Sequence, residues 1–479
     1  MSLAHQPLRL PDFVDDRPVS PFQYGVVTLC GLIMFIDGFD TQAISYLAPH
    51  IAREWGLSQA LLGPIFSAAL AGLMVGYLAL APLSDRFGHK RLLVVATVSF
   101  AVCTLAVVWS TGLTELVVLR FLTGLGLGAA APSAIALTGE FSPKRLRATF
   151  VLAIYCGFSL GFVVAGLAAG ALVPAHGWRS LFWVGAIVPL LLVPALVRLL
   201  PESPGYLIRR GADPARIHRV LHRIDRTLPA AELARFELTG EPGSDGTARA
   251  ALRSLVGRGW LLGTVLLWVV FAINLAEFYA LQSWLPSILT GLHYPLATVV
   301  TATTLTTVGG IVAAFVTGPA MDRLGAYGTV AIVYLAGFGF VALTGVALGA
   351  PLWLLLTANF LAGVCVSGGQ KSVIALAAVF YPAEVRSHGV GWALGVGRLG
   401  GIAGPLLVGA ALGAGWPVAS VFYAMAVPML VAGLLVLLLG RRYGAGRRSA
   451  AAAEPAGAEP ATGAGSAAAG RVAPGTDHP

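Results

Sequence analysis

Charged side chains are scarce in this sequence. Only 11% of its 479 residues are Asp, Glu, Lys or Arg, whereas a soluble domain has about 25%. Hydrophobic residues make up 57% of the chain, and the mean hydropathy is +0.81. The composition excludes a soluble enzyme with a polar surface. Because each membrane crossing needs about 20 apolar residues, the many long apolar segments predict a protein that crosses the membrane repeatedly.

Cysteine is also rare, and so are the groups that build catalytic centres. The four cysteines lie in apolar segments without CxxC spacing, so we expect neither a disulfide framework nor a zinc site. None of the nine histidines lies in the middle of an apolar segment. The sequence contains no nucleophile–base set, phosphate-binding lysine loop or metal cluster. We therefore predict no catalytic residue, no metal, no cofactor and no enzymatic activity.

Most of the basic residues lie in segments on one side of the membrane. Of the 31 Lys and Arg residues, 26 fall in the tails and alternate loops that share one side of the membrane, and two, Arg53 and Arg179, fall in the opposite loops. The positive-inside rule places both termini in the cytoplasm. The net charge of +9 is thus explained without a nucleic-acid partner.

The order of apolar segments and polar breaks predicts an all-α membrane protein with twelve transmembrane helices. A cytoplasmic N-terminal segment (1–22) precedes the first six-helix half (23–200), whose first helix we place at 23–46. A cytoplasmic central loop (201–258) follows, then the second half (259–440), which begins with a helix at 260–284. The tail (441–479) is rich in Ala, Gly and Pro, and we expect it to be disordered and cytoplasmic.

The two halves repeat one another. Pro49 and Asp85 are 36 residues apart, and so are Pro286 and Asp322. Six helices per repeat preserve orientation, so the halves are parallel repeats, and in such folds the substrate lies near the midplane between them. This organisation indicates transport.

Two loops carry a related motif. The first reads Ser-Asp85-Arg86-Phe-Gly88-His-Lys-Arg, and its counterpart reads Met-Asp322-Arg323-Leu-Gly325. Together with the duplicated halves, these motifs resemble the major facilitator superfamily over residues 23–440. The resemblance implies that Asp85, Arg86, Asp322 and Arg323 gate the cytoplasmic side.

Further motifs resemble one family within that superfamily, the aromatic acid:proton symporters. They are Asp37-Gly-Phe-Asp40 in the first helix, the Arg120-Phe-Leu-Thr-Gly-Leu-Gly-Leu-Gly128 run, and Gly397-Arg398-Leu-Gly in helix 11. The resemblance implies import of 4-hydroxybenzoate, protocatechuate, benzoate or a similar acid with protons, by alternating access, across the inner membrane. Matched by motif, the functional charges of the family fall on a set of six residues: Asp37, Asp40, Arg120, Glu140, Arg386 and Arg398.

The charges within apolar segments can also be interpreted without the resemblance, because a charge at mid-bilayer is costly and suggests function. Asp37 and Asp40 are at i and i+3, on one helix face. Mutual repulsion and burial both disfavour the ionised forms, which suits proton coupling; the alternative is a polar cluster that fixes helix packing. Arg398 can bind a substrate carboxylate through two parallel hydrogen bonds or serve as a structural partner for an aspartate.

The remaining candidates divide between pathway and gate. Arg120 is a candidate for the substrate pathway, whereas Glu140 and Arg386 fit a gate better than a ligand site. Glu277 and Lys371 depart from the family pattern, and their depths differ by roughly 16 Å at 1.5 Å per residue, too far for an ion pair. Our hypothesis is that Glu277 binds a second proton and that Lys371 supplies a second positive charge for the substrate. The alternative is that both side chains face a water-filled cavity without a role. Asn274, Gln370 and Trp392 complete the predicted substrate site.

Two other functions remain open from the sequence. A proton-coupled exporter of drugs or organic acids would have the same fold. A membrane sensor of aromatic acids would need a signalling domain, which the tail does not offer. We expect a monomer in the lipid bilayer whose only other partners are protons and a small aromatic carboxylate.

Overall fold

The computed structural model describes residues 10–228, 261–381 and 386–453, and in these ranges it is helical, with no strand. Twelve helices are long and apolar enough to cross a membrane, which confirms the predicted all-α fold. They are α1 (Pro21–Trp55), α2 (Gln59–Phe87), α3 (His89–Val107), α4 (Leu113–Glu140), α5 (Lys144–His176), α6 (Arg179–Leu199), α7 (Leu261–Gly291), α8 (Leu296–Leu324), α9 (Ala326–Ala347), α10 (Leu352–Phe380), α11 (Arg386–Gly413) and α12 (Val418–Ala453).

The first helix of each half is longer than hydropathy predicts. α1 starts with a capping box, in which the Gln23 amide donates to Ser20 Oγ and the Ser20 amide to Gln23 Oε1. It continues past Pro49 to Trp55, and α7 likewise passes Pro286 to end at Gly291. Neighbouring helices satisfy the backbone groups that a proline leaves free in a membrane helix, so a proline in a buried segment does not mark the helix end.

The segments outside the halves are partly structured. A short helix, Leu10–Asp15, precedes α1, and two more, Pro204–Arg209 and Pro214–Ile224, follow α6. Arg17 Nε donates to Asp225 Oδ2 at 2.5 Å and ties the first of these segments to the last. The last helix extends to Ala453, beyond the predicted end at residue 440. Residues 229–260 and 454–479, which include most of the predicted tail, lie outside the described ranges.

Helix packing repeats from one half to the other. α1 packs on α5 as α7 packs on α11, α2 on α4 as α8 on α10, and α3 on α6 as α9 on α12. Glycine permits the closest approaches: a Cβ at Gly124 would overlap the carbonyl oxygen of Ala69, and one at Gly400 that of Ala272. Small residues allow helix backbones to approach in this way in membranes, and the glycine run in α4 serves this packing.

The two halves close on each other at the side opposite the chain termini, here named the distal side. Ser67 Oγ in α2 donates to the Ile402 carbonyl in α11 at 2.8 Å. The Phe66 and Trp284 rings meet edge to face with centroids 5.2 Å apart. Phe66, Ser67 and Trp284 lie in the distal parts of their helices and Ile402 lies near the middle of α11, so the structure represents a conformation sealed on the distal side.

Candidate substrate and proton site

Arg398, from α11, lies at the centre of the contact between the halves. Its Nη1 donates to the Tyr279 hydroxyl at 3.1 Å, and its guanidinium carbon lies 4.9 Å from the centre of the Tyr77 ring. Tyr155 and Asp37 are close enough to interact with it electrostatically. Among the described residues, no carboxylate comes within the 4.0 Å of an ion pair with Arg398. The site is therefore a cation framed by tyrosines from both halves and free of a direct anionic partner.

The backbone of α2 changes its winding at this point. Residues Gly76–Leu80 form a π-helical turn, and Tyr77 belongs to it. Such turns are frequent at functional sites, where the extra residue re-aims the side chains. Here the turn carries the ring that lies beneath Arg398, so the first half supplies an aromatic face to a cation of the second.

Asp37 is the carboxylate that interacts electrostatically with Arg398. Its side chain is 4% exposed, and Oδ1 is buried without a hydrogen-bond partner among the described residues. Its charged neighbours are Arg398 and Asp40. A buried polar atom without a partner is costly, so Asp37 is the acidic group of α1 that is least satisfied in this conformation.

Asp40 has a different environment. Its Oδ1 accepts from Arg120 Nη1 at 3.0 Å, and both side chains are almost fully buried. Arg120 Nη2 also lies 3.4 Å from the Asp40 carbonyl oxygen. The cavity beside Arg120 measures about 10 Å³, whereas ligand pockets occupy roughly 300 Å³ or more. The two aspartates predicted to act as a pair thus face different arginines, and Arg120 binds Asp40 here.

The second half places the other predicted residues apart from one another. Glu277 is 3% exposed, and its Oε1 lacks a hydrogen-bond partner in the described part of the chain. Lys371 Nζ donates to the Gly310 carbonyl of α8 at 2.7 Å, and no ion pair joins it to Glu277, in keeping with their different depths. Gln370, beside Lys371, is partly exposed.

Two of the predicted substrate ligands pack within the second half. Asn274 Nδ2 donates to the Val366 carbonyl of α10 at 3.2 Å. The Trp392 ring stacks on Trp268 with centroids 6.0 Å apart. Both contacts join helices of the same half.

The predicted gate of the first half contacts the segment after α6. Asp85 Oδ1 lies 3.7 Å from Arg209 Nη2, with both side chains largely exposed. The Arg86 carbonyl accepts from Arg210 Nη2 at 2.6 Å. Glu140 accepts hydrogen bonds from the hydroxyl of Ser203 and, at 3.4 Å, from the amide of Gly205.

The second half lacks this arrangement among the described residues. Asp322 and Arg323 lie exposed at the end of α8, and neither forms an ion pair with another described residue. Arg386 begins α11, and its side chain is not among those described. The structure therefore joins the predicted gate residues of the first half to the segment after α6, whereas Asp322 and Arg323 form no ion pair with the described residues.

Four residues of the site escaped the sequence analysis. Tyr77 and Tyr279 contact Arg398, and Tyr155 is close enough to interact with it electrostatically, but a tyrosine in an apolar segment is as common in packing as in ligand sites, so it gave no signal. Asn359, in α10, is fully buried with neither amide atom hydrogen-bonded in the described structure. The repeat could have identified it, since it occupies the position that Arg120 has in the first half.

Comparisons with known proteins place this architecture in a family. The profile described as Major Facilitator Superfamily matches residues 30–326 and 267–472. The chain is 39% identical to the 4-hydroxybenzoate transporter PcaK of Pseudomonas aeruginosa, over 91% of this chain and 97% of that protein. It is 36% identical to the gallate transporter of Pseudomonas putida, over 91% and 95%. The inward-open xylose transporter XylE of Escherichia coli superposes with a TM-score of 0.68 at 17% identity, over 87% and 96%, which supports the fold.

Proposed function

The chain belongs to the major facilitator superfamily, and we propose that it imports an aromatic acid together with a proton across the inner membrane by alternating access. The relatives named above are transporters of 4-hydroxybenzoate and gallate, two aromatic acids that carry a carboxylate. The observation on which the proposal chiefly depends is Arg398, a cation between the halves that lacks a direct carboxylate partner and is framed by tyrosines.

The geometry suits an aromatic carboxylate. An arginine binds a carboxylate through two parallel N–H···O bonds, and the Tyr77 and Tyr155 rings offer apolar faces for the aromatic ring of the substrate. The Tyr279 hydroxyl, already bonded to Arg398, keeps the guanidinium in position. The substrate would thus contact both halves at once, as alternating access requires of a central site.

Proton coupling follows from the position of Asp37. When Asp37 is ionised, it offsets part of the positive potential of Arg398 and weakens the attraction for an anion. When Asp37 is protonated, Arg398 attracts the substrate carboxylate with its full charge. Proton and substrate therefore favour each other's binding. One proton with one monoanion is electroneutral, so the pH gradient alone drives that cycle.

The asymmetry of the basic residues supports cytoplasmic termini. With that orientation the distal side is periplasmic, and the present conformation is closed towards the periplasm. The proposed gate on the cytoplasmic side comprises Asp85, Arg86, Glu140, Asp322, Arg323 and Arg386. Its ion pair between Asp85 and Arg209 is exposed and would contribute at most about 1 kcal/mol, which suits contacts that break and re-form in each cycle.

The test is uptake of radiolabelled 4-hydroxybenzoate by cells and by proteoliposomes. We expect accumulation that a protonophore abolishes. Asp37→Asn should lose accumulation but still exchange substrate across the membrane, since it mimics the protonated state. Arg398→Gln should lose both activities, and the exposed control Asp16→Asn should lose neither.

Two outcomes would contradict the proposal. Wild-type protein that is inserted correctly but neither accumulates nor exchanges any acid in a panel of aromatic carboxylates would contradict the substrate class. Movement of the acid outward in exchange for protons, measured in everted vesicles, would identify an exporter instead.

A further inference from the structure

The first half contains a buried ion pair between Asp40 and Arg120. The internal repeat places an acid, Glu277, at the position of Asp40 in the second half, but no cation at the position of Arg120. Asp40 and Glu277 each lie nine residues before a proline, Pro49 and Pro286 respectively. Arg120 directly precedes a Phe-Leu-x-Gly sequence in α4, and the same sequence follows Asn359 in α10. The second half has therefore kept the acid and replaced the arginine by a neutral amide.

The hydrogen bonds differ accordingly. Asp40 is bonded to Arg120 at 3.0 Å. Glu277 Oε1 and both amide atoms of Asn359 are buried and have no hydrogen-bond partner in the described structure. Because an asparagine side chain is shorter than that of arginine and carries no charge, Asn359 cannot compensate a carboxylate as Arg120 does.

None of the described helices that pack against α7 supplies a cation to Glu277. α7 packs against α1, α8, α10, α11 and α12. Between Leu296 and Met321 in α8, and between Val418 and Gly440 in α12, no residue is charged. The charged groups on the buried parts of the other three helices are Asp37, Asp40, Lys371 and Arg398, and among the described side chains neither Lys371 nor Arg398 forms an ion pair with Glu277.

The cations among these groups have other partners. Arg398 donates to Tyr279, and Lys371 donates to the Gly310 carbonyl. An ionised carboxylate in a buried site with neither a cation nor a full set of hydrogen bonds is strongly disfavoured. In the conformation sealed on the distal side, Glu277 is therefore expected to hold a proton.

We propose that Glu277 is a second proton-binding site, distinct from Asp37, which is loaded from the distal side and carried with the substrate. The inference rests on the proposed function, since it adds a proton to the same cycle. Beyond Glu277, towards the distal end, α7 contacts the other half: Gln42 Nε2 donates to the Gln282 carbonyl and Ser287 Oγ donates to the Ser45 carbonyl, both at 3.3 Å. Separation of the halves would break these contacts and expose this part of α7 to water, and loading of Glu277 from the distal side requires such access.

The consequence is a change in the net charge carried. Two protons with one monoanion carry one positive charge inward, so the membrane potential drives uptake. An inside-negative potential of 100 mV would then raise the limiting accumulation by a factor of about 50. With one proton per monoanion, the potential would have no effect.

The experiment separates the two driving forces in proteoliposomes, with 4-hydroxybenzoate as the probe. A pH gradient is imposed at zero potential, and an inside-negative potential is imposed with potassium and valinomycin at equal pH. Wild-type protein should respond to both. Glu277→Gln should keep uptake driven by the pH gradient and lose the stimulation by potential. The exposed control Glu115→Gln should respond as the wild type does.

A second variant tests the pairing argument. Asn359→Arg introduces at this position the arginine that the first half has, and it should hold Glu277 ionised. This variant should therefore lose the stimulation by potential, as Glu277→Gln does. Glu277→Asp keeps a carboxylate and should retain the stimulation. Undiminished stimulation in Glu277→Gln would overturn the proposal. If the variants do not insert into the membrane, the proton:substrate stoichiometry of the wild-type protein can be measured from its reversal potential. A value of one proton per anion would also overturn the proposal. Absence of uptake driven by the pH gradient in wild-type protein would instead contradict the proposed function.

Discussion

The buried ion pair between Asp40 and Arg120 provides a quantitative test of which aspartate of α1 has a structural role. Arg120 is fully buried and Asp40 is 3% exposed, so removal of either partner leaves an uncompensated charge inside the protein. Breaking such a pair costs about 3–5 kcal/mol. We therefore expect Arg120→Met and Asp40→Asn each to lower the stability of the first half by this amount.

The double variant should behave differently. With both charges removed, no buried charge remains to be compensated, and replacement of a whole pair by neutral groups is often close to neutral in free energy. Asp40→Asn with Arg120→Met should therefore be more stable than either single variant, with a coupling of about 2 kcal/mol or more.

The assay is thermal unfolding of the purified protein in detergent, followed by tryptophan fluorescence. The four proteins of a double-mutant cycle are compared at one heating rate, since unfolding of membrane proteins is often irreversible. Strictly additive losses in the double variant would refute the reasoning, because they would mean that the two side chains do not compensate each other. Asp37→Asn, which breaks no ion pair, serves as the matched control and should not lower stability.

Three further predictions concern the closure, the site and the cytoplasmic surface. Trp284→Ala removes an edge contact with Phe66 and should shift the protein towards the conformation open on the distal side, seen as faster alkylation of a cysteine introduced there; unchanged alkylation would contradict the role in closure. Tyr279→Phe removes the hydroxyl bonded to Arg398 and should raise KM several-fold with little change in kcat, and a change in kcat alone would contradict it. The hydrogen bond from the Arg17 side chain lowers the pKa of Asp225 to about 2. This ion pair therefore stabilises the fold above the unfolded pKa near 4, and its contribution is lost only as the pH falls towards 2. Asp225→Asn should leave the pH profile of uptake between pH 5 and 8 unchanged, and an altered profile would count against that assignment.

Much of the fold follows from the sequence because the membrane constrains it. Twelve long apolar segments and the equal spacings from Pro49 to Asp85 and from Pro286 to Asp322 fix the number of helices and their repeat. The predicted helix ends were less accurate, because hydropathy falls where a helix leaves the bilayer whereas the hydrogen bonds of the helix continue. α1 accordingly extends nine residues past its predicted end, through Pro49 to Trp55.

The site was only partly accessible from the sequence. Asp37 and Arg398 stood out because charges in apolar segments are rare. Their neighbours depend on how helices are rotated against each other, a tertiary property that spacing along one helix does not contain. Asp40 shares a face with Asp37 in sequence, yet α4 provides it with Arg120, and the tyrosines around Arg398 had no distinguishing pattern.

The two halves solve the same electrostatic problem in different ways. A carboxylate that is sealed inside the protein in one conformation needs a compensating positive charge, either from a side chain or from a proton. For Asp40 the arginine of α4 provides it in this conformation. For Glu277, with Asn359 at the equivalent position, our proposal is that a proton provides it and is released when the group is hydrated and ionises. On that proposal, divergence of one residue between the repeats converts a structural ion pair into a site that couples proton movement to the transport cycle.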